Sequence, residues 1–190
     1  MIALKGIGHV NLYVADMERS RWFYGDVLGF KVAEQDPDHG GVFMTLGNTF
    51  HTLDFAPHPH PETAQRPVRG QIGLIHVAFQ VASYAALRDA YCTLLEHGVV
   101  VNHATNHENQ RSIYFQDPDG NGLEIYYELP YSLQLFPNGR RDMDEPLAVT
   151  APGEPLPAWL LEEWPPAETR ARIDALRQAD GTRPSPAVPD

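Results

Sequence analysis

Residues 7–32 and 73–101 are two imperfect copies of one pattern, and this internal repeat limits the available folds more than any other feature. The copies read IGHVNLYVADMERSRWFYGDVLGFKV and GLIHVAFQVASYAALRDAYCTLLEHGVVV. Each opens with an alternating stretch that carries one histidine, His9 or His76, and runs into an amphipathic helical pattern ending near Gly29 or Gly98. Hairpin-like strands follow, GVFMTLG and TFHTLDFA in the first copy, RSIYFQ and GLEIYYEL in the second. DPDGN joins the second pair, and its Asp, Pro and Gly are turn residues. The spacing predicts an α+β fold of paired βαβββ modules, about 1–62 and 70–129, forming a curled mixed sheet around one cavity.

Local signals support the helices. Ser83 suits the N-cap of the second, and Leu87, Tyr91, Leu94 and Leu95 form its apolar face. Trp22, Phe23, Val27 and Leu28 are expected to do the same in the first. Beyond residue 129 the composition changes. Most of the 17 prolines lie there, interleaved with Leu156, Trp159, Leu160, Leu161 and Trp164. A disordered linker rarely holds such a cluster, so residues 130–190 are expected to form a C-terminal proline-rich arm with a short helix from Pro166 to about Ala179. Residues 130–165 should pack on the core or on a sister subunit, and the last residues, TRPSPAVPD, should be loose.

Composition excludes several classes. A net charge of -11 argues against nucleic acid as a partner. No apolar run reaches membrane-spanning length. The N-terminus lacks the charged-then-apolar layout of an export signal, so a cytoplasmic protein is expected. The single cysteine, Cys92, rules out an intrachain disulfide and reads as a buried thiol on a helix.

Strand phase sorts the nine histidines. His9 shares a face with Ile7, Asn11 and Tyr13, and His76 with Leu74, Ala78 and Gln80. Glu124 shares a face with Gly122, Tyr126 and Glu128. Two histidines at equivalent repeat positions and a glutamate inside an apolar strand are costly as mere core residues. If both sheets curl around one cavity, His9, His76 and Glu124 converge there as a two-histidine, one-carboxylate metal triad with open coordination positions. His58 and His60 alternate with prolines and read as a surface or lid loop.

The module starts GHVNLYVADMERSRWFYGDVLGF and IHVAFQV, and above all the module end YFQDPDGNGLEIYYE, resemble the vicinal oxygen chelate superfamily, also called the glyoxalase, bleomycin-resistance and extradiol-dioxygenase superfamily. The resemblance covers residues 1 to about 129 and is closest to the type I extradiol ring-cleaving dioxygenases. It implies an Fe(II)-dependent enzyme (Mn(II) less favoured) that cleaves a catechol ring with O2, with His9, His76 and Glu124 as ligands. By the same resemblance His107 is the acid–base histidine and Tyr114 the tyrosine that bonds to substrate at the metal. Family members often carry Asp before the loop histidine, where this chain has Asn106. His103, four residues earlier in the same polar loop HATNHENQ, competes with His107 for that role, and His103 and His51 are candidates for the substrate pocket.

The alternative is a glyoxalase-, epimerase- or thiol-transferase-like metalloenzyme of the same fold, or an aromatic-drug-binding resistance protein. The non-oxygen enzymes commonly take a fourth ligand from the first module. GNTFHTLDFAPH has no glutamate, although Asp54 is close. A homodimer is the favoured assembly, because two-fold homo-oligomers are the commonest.

Overall fold

The computed structural model describes residues 2–136, 144–162, 164 and 167–179. The expectation for TRPSPAVPD lies outside these residues. The chain divides into two compact units. Unit 1 comprises residues up to Gly73 plus Asp117–Asn121, and unit 2 comprises Leu74–Gln116 and the described residues from Gly122 onward.

Unit 1 runs β1 (Val10–Val14), α1 (Met17–Trp22), a π-helical turn (Phe23–Val27), β2 (Lys31–Gln35), β3 (Val42–Thr45) and β4 (Leu53–Pro57). Its sheet has the order β1-β4-β3-β2, with β1 and β4 parallel and the other pairs antiparallel. In β1, Leu12 and Val14 are buried while Asn11 and Tyr13 are exposed, as period-two alternation requires. Asp16 caps α1 by accepting from the Arg19 amide at 3.0 Å. The π turn widens the helix and shifts its buried face. Phe23, Tyr24 and Val27 are therefore interior, and Trp22, expected in the apolar face, is 43% exposed.

Asp117–Asn121 form the DPDGN turn. The Asp117 carboxylate accepts from the backbone N–H of Asp119 and Asn121, and Gly120 supplies a positive φ of 90°. The buried Tyr24 hydroxyl donates to Asp117 at 3.0 Å, and Asp119 accepts from Ala15 N and from the Arg19 guanidinium.

Unit 2 repeats the plan with β5 (Val77–Gln80), α2 (Tyr84–Glu96), β6 (His103–Asn106), β7 (Gln110–Gln116) and β8 (Gly122–Glu128). It adds α3 (Ser132–Leu135), β9 (Glu145–Leu147), α4 (Ala158–Leu161) and α5 (Ala167–Ala179). The sheet order is β5-β8-β7-β6-β9, parallel only at β5–β8. Ser83 caps α2 by accepting from Ala86 N at 3.1 Å, and Leu87, Tyr91 and Leu94 form its buried stripe. Cys92 on α2 is half-buried, and burial, with Glu96 and Asp89 beside it, pushes its thiol up.

The α+β character holds, but the expected curled sheet does not. Among the described residues there are two open sheets, bounded by β1 and β2 and by β5 and β9, and neither is closed or strongly curled. The physical reason is strand number: closure around a filled interior takes about eight strands, and here four and five short strands leave free edges.

The arm packs on its own unit. Trp159, Leu160 and Trp164 are buried, while Leu161 is exposed. Trp164 and Ile173 join Leu129 in a cluster bordered by Tyr84, Tyr127 and Leu135. Arg111, buried on β7, places its guanidinium 5.4, 5.9 and 5.1 Å from the ring centres of Tyr84, Trp159 and Trp164. It donates to the Trp159 carbonyl at 3.1 Å and to the Tyr84 hydroxyl at 3.0 Å. No described helix is long and apolar enough to cross a membrane.

Candidate functional site

His9 and His76 each sit one residue before the first strand of their units, β1 and β5. The equivalence seen in the repeat thus survives, although neither histidine is within a strand. It extends further. Asp54 on β4 pairs across from Asn11, two residues past His9, and Glu124 on β8 pairs across from Ala78, two residues past His76. Each unit therefore offers a histidine and a carboxylate at matching positions.

In unit 1, the buried Asp54 carboxylate faces two imidazoles. Oδ1 lies 2.5 Å from His51 Nδ1, and Oδ2 lies 3.5 Å from His9 Nε2. The two rings stack with centres 4.7 Å apart, and Phe43 and Phe50 meet His51 edge-on. His9, His51 and Asp54 form a candidate metal-binding group, with one donor atom from each lying within 4.8 Å of the others. Among the described residues no lysine or arginine pairs with Asp54. A buried carboxylate whose partners are imidazoles fits a divalent cation, because the ion replaces the solvation that burial removes. The donors are nitrogen and oxygen without thiolate, which suits a borderline or hard ion. The sequence pattern predicts for His51 only a substrate-pocket role.

In unit 2, polar groups form a connected series. His76 Nε2 lies 2.9 Å from Glu124 Oε2. Tyr114 Oη lies 3.0 Å from Glu124 Oε1 and 2.8 Å from His107 Nε2. One hydroxyl hydrogen cannot serve both contacts, so Tyr114 donates to one neighbour and accepts from or shares a proton with the other. It donates to Glu124 Oε1. Gln110 Nε2 donates to Glu124 at 3.5 Å, and His107 Nδ1 lies 2.6 Å from Asp144 Oδ1. Burial, then the Glu124 charge, pushes the Tyr114 hydroxyl well above the usual tyrosine range, so it remains a proton carrier.

Position explains these contacts. Tyr114 and Glu124 are directly opposite on antiparallel β7 and β8. Gly122 lets β8 approach the chain before β5, since a Cβ there would lie 2.3 Å from the Ile75 carbonyl oxygen. His103 opens β6 instead of lying in a loop. It pairs with Tyr114 and stacks on its ring at 4.3 Å. His107 sits in the turn between β6 and β7, where Glu108 takes a left-handed φ of 67°. His58 and His60 lie on a surface turn, as expected.

Each unit taken by itself carries a cluster, His9–His51–Asp54 in unit 1 and His76–Glu124–Tyr114–His107 in unit 2. Sequence reasoning noted Asp54 only as close to the fourth-ligand position of the alternative, and it missed Asp144. Extending the repeat to its final strands singles Asp54 out, since LDF of TFHTLDFA matches LEI of GLEIYYEL. Asp144 lies beyond the repeat and had no such signal.

The profile of the Glyoxalase/Bleomycin resistance protein/Dioxygenase superfamily matches residues 6–125. A catechol-2,3-dioxygenase of Bacillus subtilis (strain 168) is 32% identical over 126 residues, covering 66% of this chain and 42% of the relative. The chain thus spans less than half the length of that protein. The mitochondrial methylmalonyl-CoA epimerase of Mus musculus is 36% identical over 90 residues, covering 42% of this chain and 48% of the epimerase. Among solved structures, a glyoxalase/dioxygenase from Nostoc punctiforme superposes with a TM-score of 0.57 at 24% identity, covering 68% of this chain and 97% of that one. That likeness shows the fold.

Proposed function

Because the chain belongs to the Glyoxalase/Bleomycin resistance protein/Dioxygenase superfamily, we propose that it is a metalloenzyme of the glyoxalase, epimerase or thiol-transferase kind, with Asp54 among its metal ligands. The observation that carries this reading is the buried Asp54 carboxylate held against His9 and His51. The resemblance implies a first-module ligand in the non-oxygen branches, and Asp54 supplies a carboxylate at that place in the repeat. The similarity to an epimerase points the same way.

A divalent ion held by these residues would supply Lewis acidity toward an oxygen of a small substrate. Asp54 would offset part of its charge, and His9 and His51 would offer neutral nitrogen donors. His76 and Glu124 are the equivalent donors by repeat. Tyr114 and His107 would hold a proton at the phenol oxygen and ring nitrogen and exchange it with substrate.

A second reading is cleavage of a catechol ring with O2 at Fe(II), with His9, His76 and Glu124 as ligands and Mn(II) as the less favoured metal. Two observations favour it: the hydrogen-bonded series from His107 through Tyr114 to Glu124, and the similarity to a catechol-2,3-dioxygenase. In this reading His107 and Tyr114 manage the catechol protons, while His51 and His103 contact the ring.

Oxygen separates the two. Metal-reconstituted protein is assayed anaerobically on carbonyl, epimerisable and thiol-addition substrates, and aerobically for oxygen uptake with a catechol panel. Anaerobic turnover supports the first reading. Oxygen uptake with a yellow ring-fission product, and no anaerobic turnover, replaces it with the second.

A further inference from the structure

His107 has contacts at both ring nitrogens, and the Nδ1 contact comes from outside the family match. Nε2 lies 2.8 Å from Tyr114 Oη, and Nδ1 lies 2.6 Å from Asp144 Oδ1. Asp144 stands directly before β9, the short arm strand that adds to the sheet beside β6. The family match ends at residue 125, so this carboxylate lies outside the matched stretch. We propose that the C-terminal arm completes the unit 2 site by delivering Asp144 as the positioning residue of His107.

Three features support the assignment. An ionised carboxylate accepts only, so a contact at 2.6 Å requires the hydrogen to reside on Nδ1. That fixes the ring against rotation and leaves Nε2 to face Tyr114. Backbone pairing also holds the carboxylate in register: Asn106, the residue before His107, pairs with Glu145, the residue after Asp144. Finally, His107 is buried while the Asp144 side chain is half exposed, so the contact closes the outer side of an otherwise interior ring. The arm is fastened further along by Trp159, whose indole N–H donates to the Ala148 carbonyl and whose own carbonyl accepts from Tyr84 and Arg111.

The value of this positioning for turnover rests on the proton-handling role proposed above for His107, but its existence does not. The test is imidazole nitrogen NMR on full-length protein labelled at histidine, with His107→Gln to assign the signals. Wild type should show His107 with a protonated Nδ1 protected from exchange with water. Asp144→Ala should lose that protection and give averaged nitrogen signals, Asp144→Glu should restore it, and thermal unfolding should stay near that of wild type. Unchanged His107 signals in Asp144→Ala would overturn the proposal. Turnover of Asp144→Ala should drop about 10- to 100-fold, by analogy with the carboxylate partners of metal-ligating histidines, with KM little changed. Altered signals with full turnover would uphold the positioning and instead overturn the role of His107 in the chemistry.

Discussion

Asp54 and Glu124 hold the same register position in their respective units, each opposite the residue two places after a histidine that precedes a parallel strand pair. Both carboxylates are buried, and both contact that histidine: Asp54 lies 3.5 Å from His9 and Glu124 lies 2.9 Å from His76. A buried carboxylate at one repeat position could be an accident of packing. The same arrangement twice, from different residue types, is the repeat expressed as chemistry.

Tyr114→Phe keeps the ring that stacks on His103 and removes the hydroxyl between His107 and Glu124. Turnover should fall, but less than in His107→Ala, where loss of acid–base assistance is worth roughly 100- to 10,000-fold. Steady-state kinetics of the two variants on one substrate check the order. Equal activity of Tyr114→Phe and wild type would remove Tyr114 from the proton path.

Gly122→Ala places a Cβ against the Ile75 carbonyl, a backbone atom that cannot turn aside. Strand β8 or the segment bearing His76 must move. Overpacking of this kind costs about 1–3 kcal/mol, and denaturant unfolding should show it. Metal affinity should fall as well if His76 is a ligand.

Tyr24 gives a pH signature. Burial first, then Asp117, raises its hydroxyl far above the ordinary value of 10.0. The folded state therefore holds this proton more tightly than the unfolded chain does. Stability from this group is complete below the ordinary tyrosine range and declines as pH rises above it. Tyr24→Phe should flatten that alkaline decline in thermal unfolding curves, at a cost near neutrality of about 1 kcal/mol for the lost hydrogen bond.

The repeat made the strand–helix–strand order legible because period-two and helical patterns survive in short segments, as with Leu12 and Val14 or Leu87, Tyr91 and Leu94. It also paired His9 with His76, and each does stand one residue before the first strand of its unit. Sheet curvature was not legible, since it depends on strand count and edge pairing rather than on alternation. HATN reads as loop because polar residues dominate it, yet it is β6, paired on both sides by β7 and β9. Trp22 was misplaced because a π turn has no periodic signature. Asp144 was invisible because its partner, His107, lies 37 residues away in the chain.

The most direct test of the central claim is the metal content and metal affinity of purified wild type beside Asp54→Asn and Glu124→Gln. Both variants keep the side-chain volume and remove the charge. The account predicts bound divalent metal in the wild type and a loss of affinity of about tenfold or more in Asp54→Asn. Full metal retention in Asp54→Asn, with loss in Glu124→Gln, would contradict the assignment of Asp54 and leave the ring-cleaving ligand set of His9, His76 and Glu124. A wild type that retains no metal after gentle preparation and reconstitution would contradict the metalloenzyme itself.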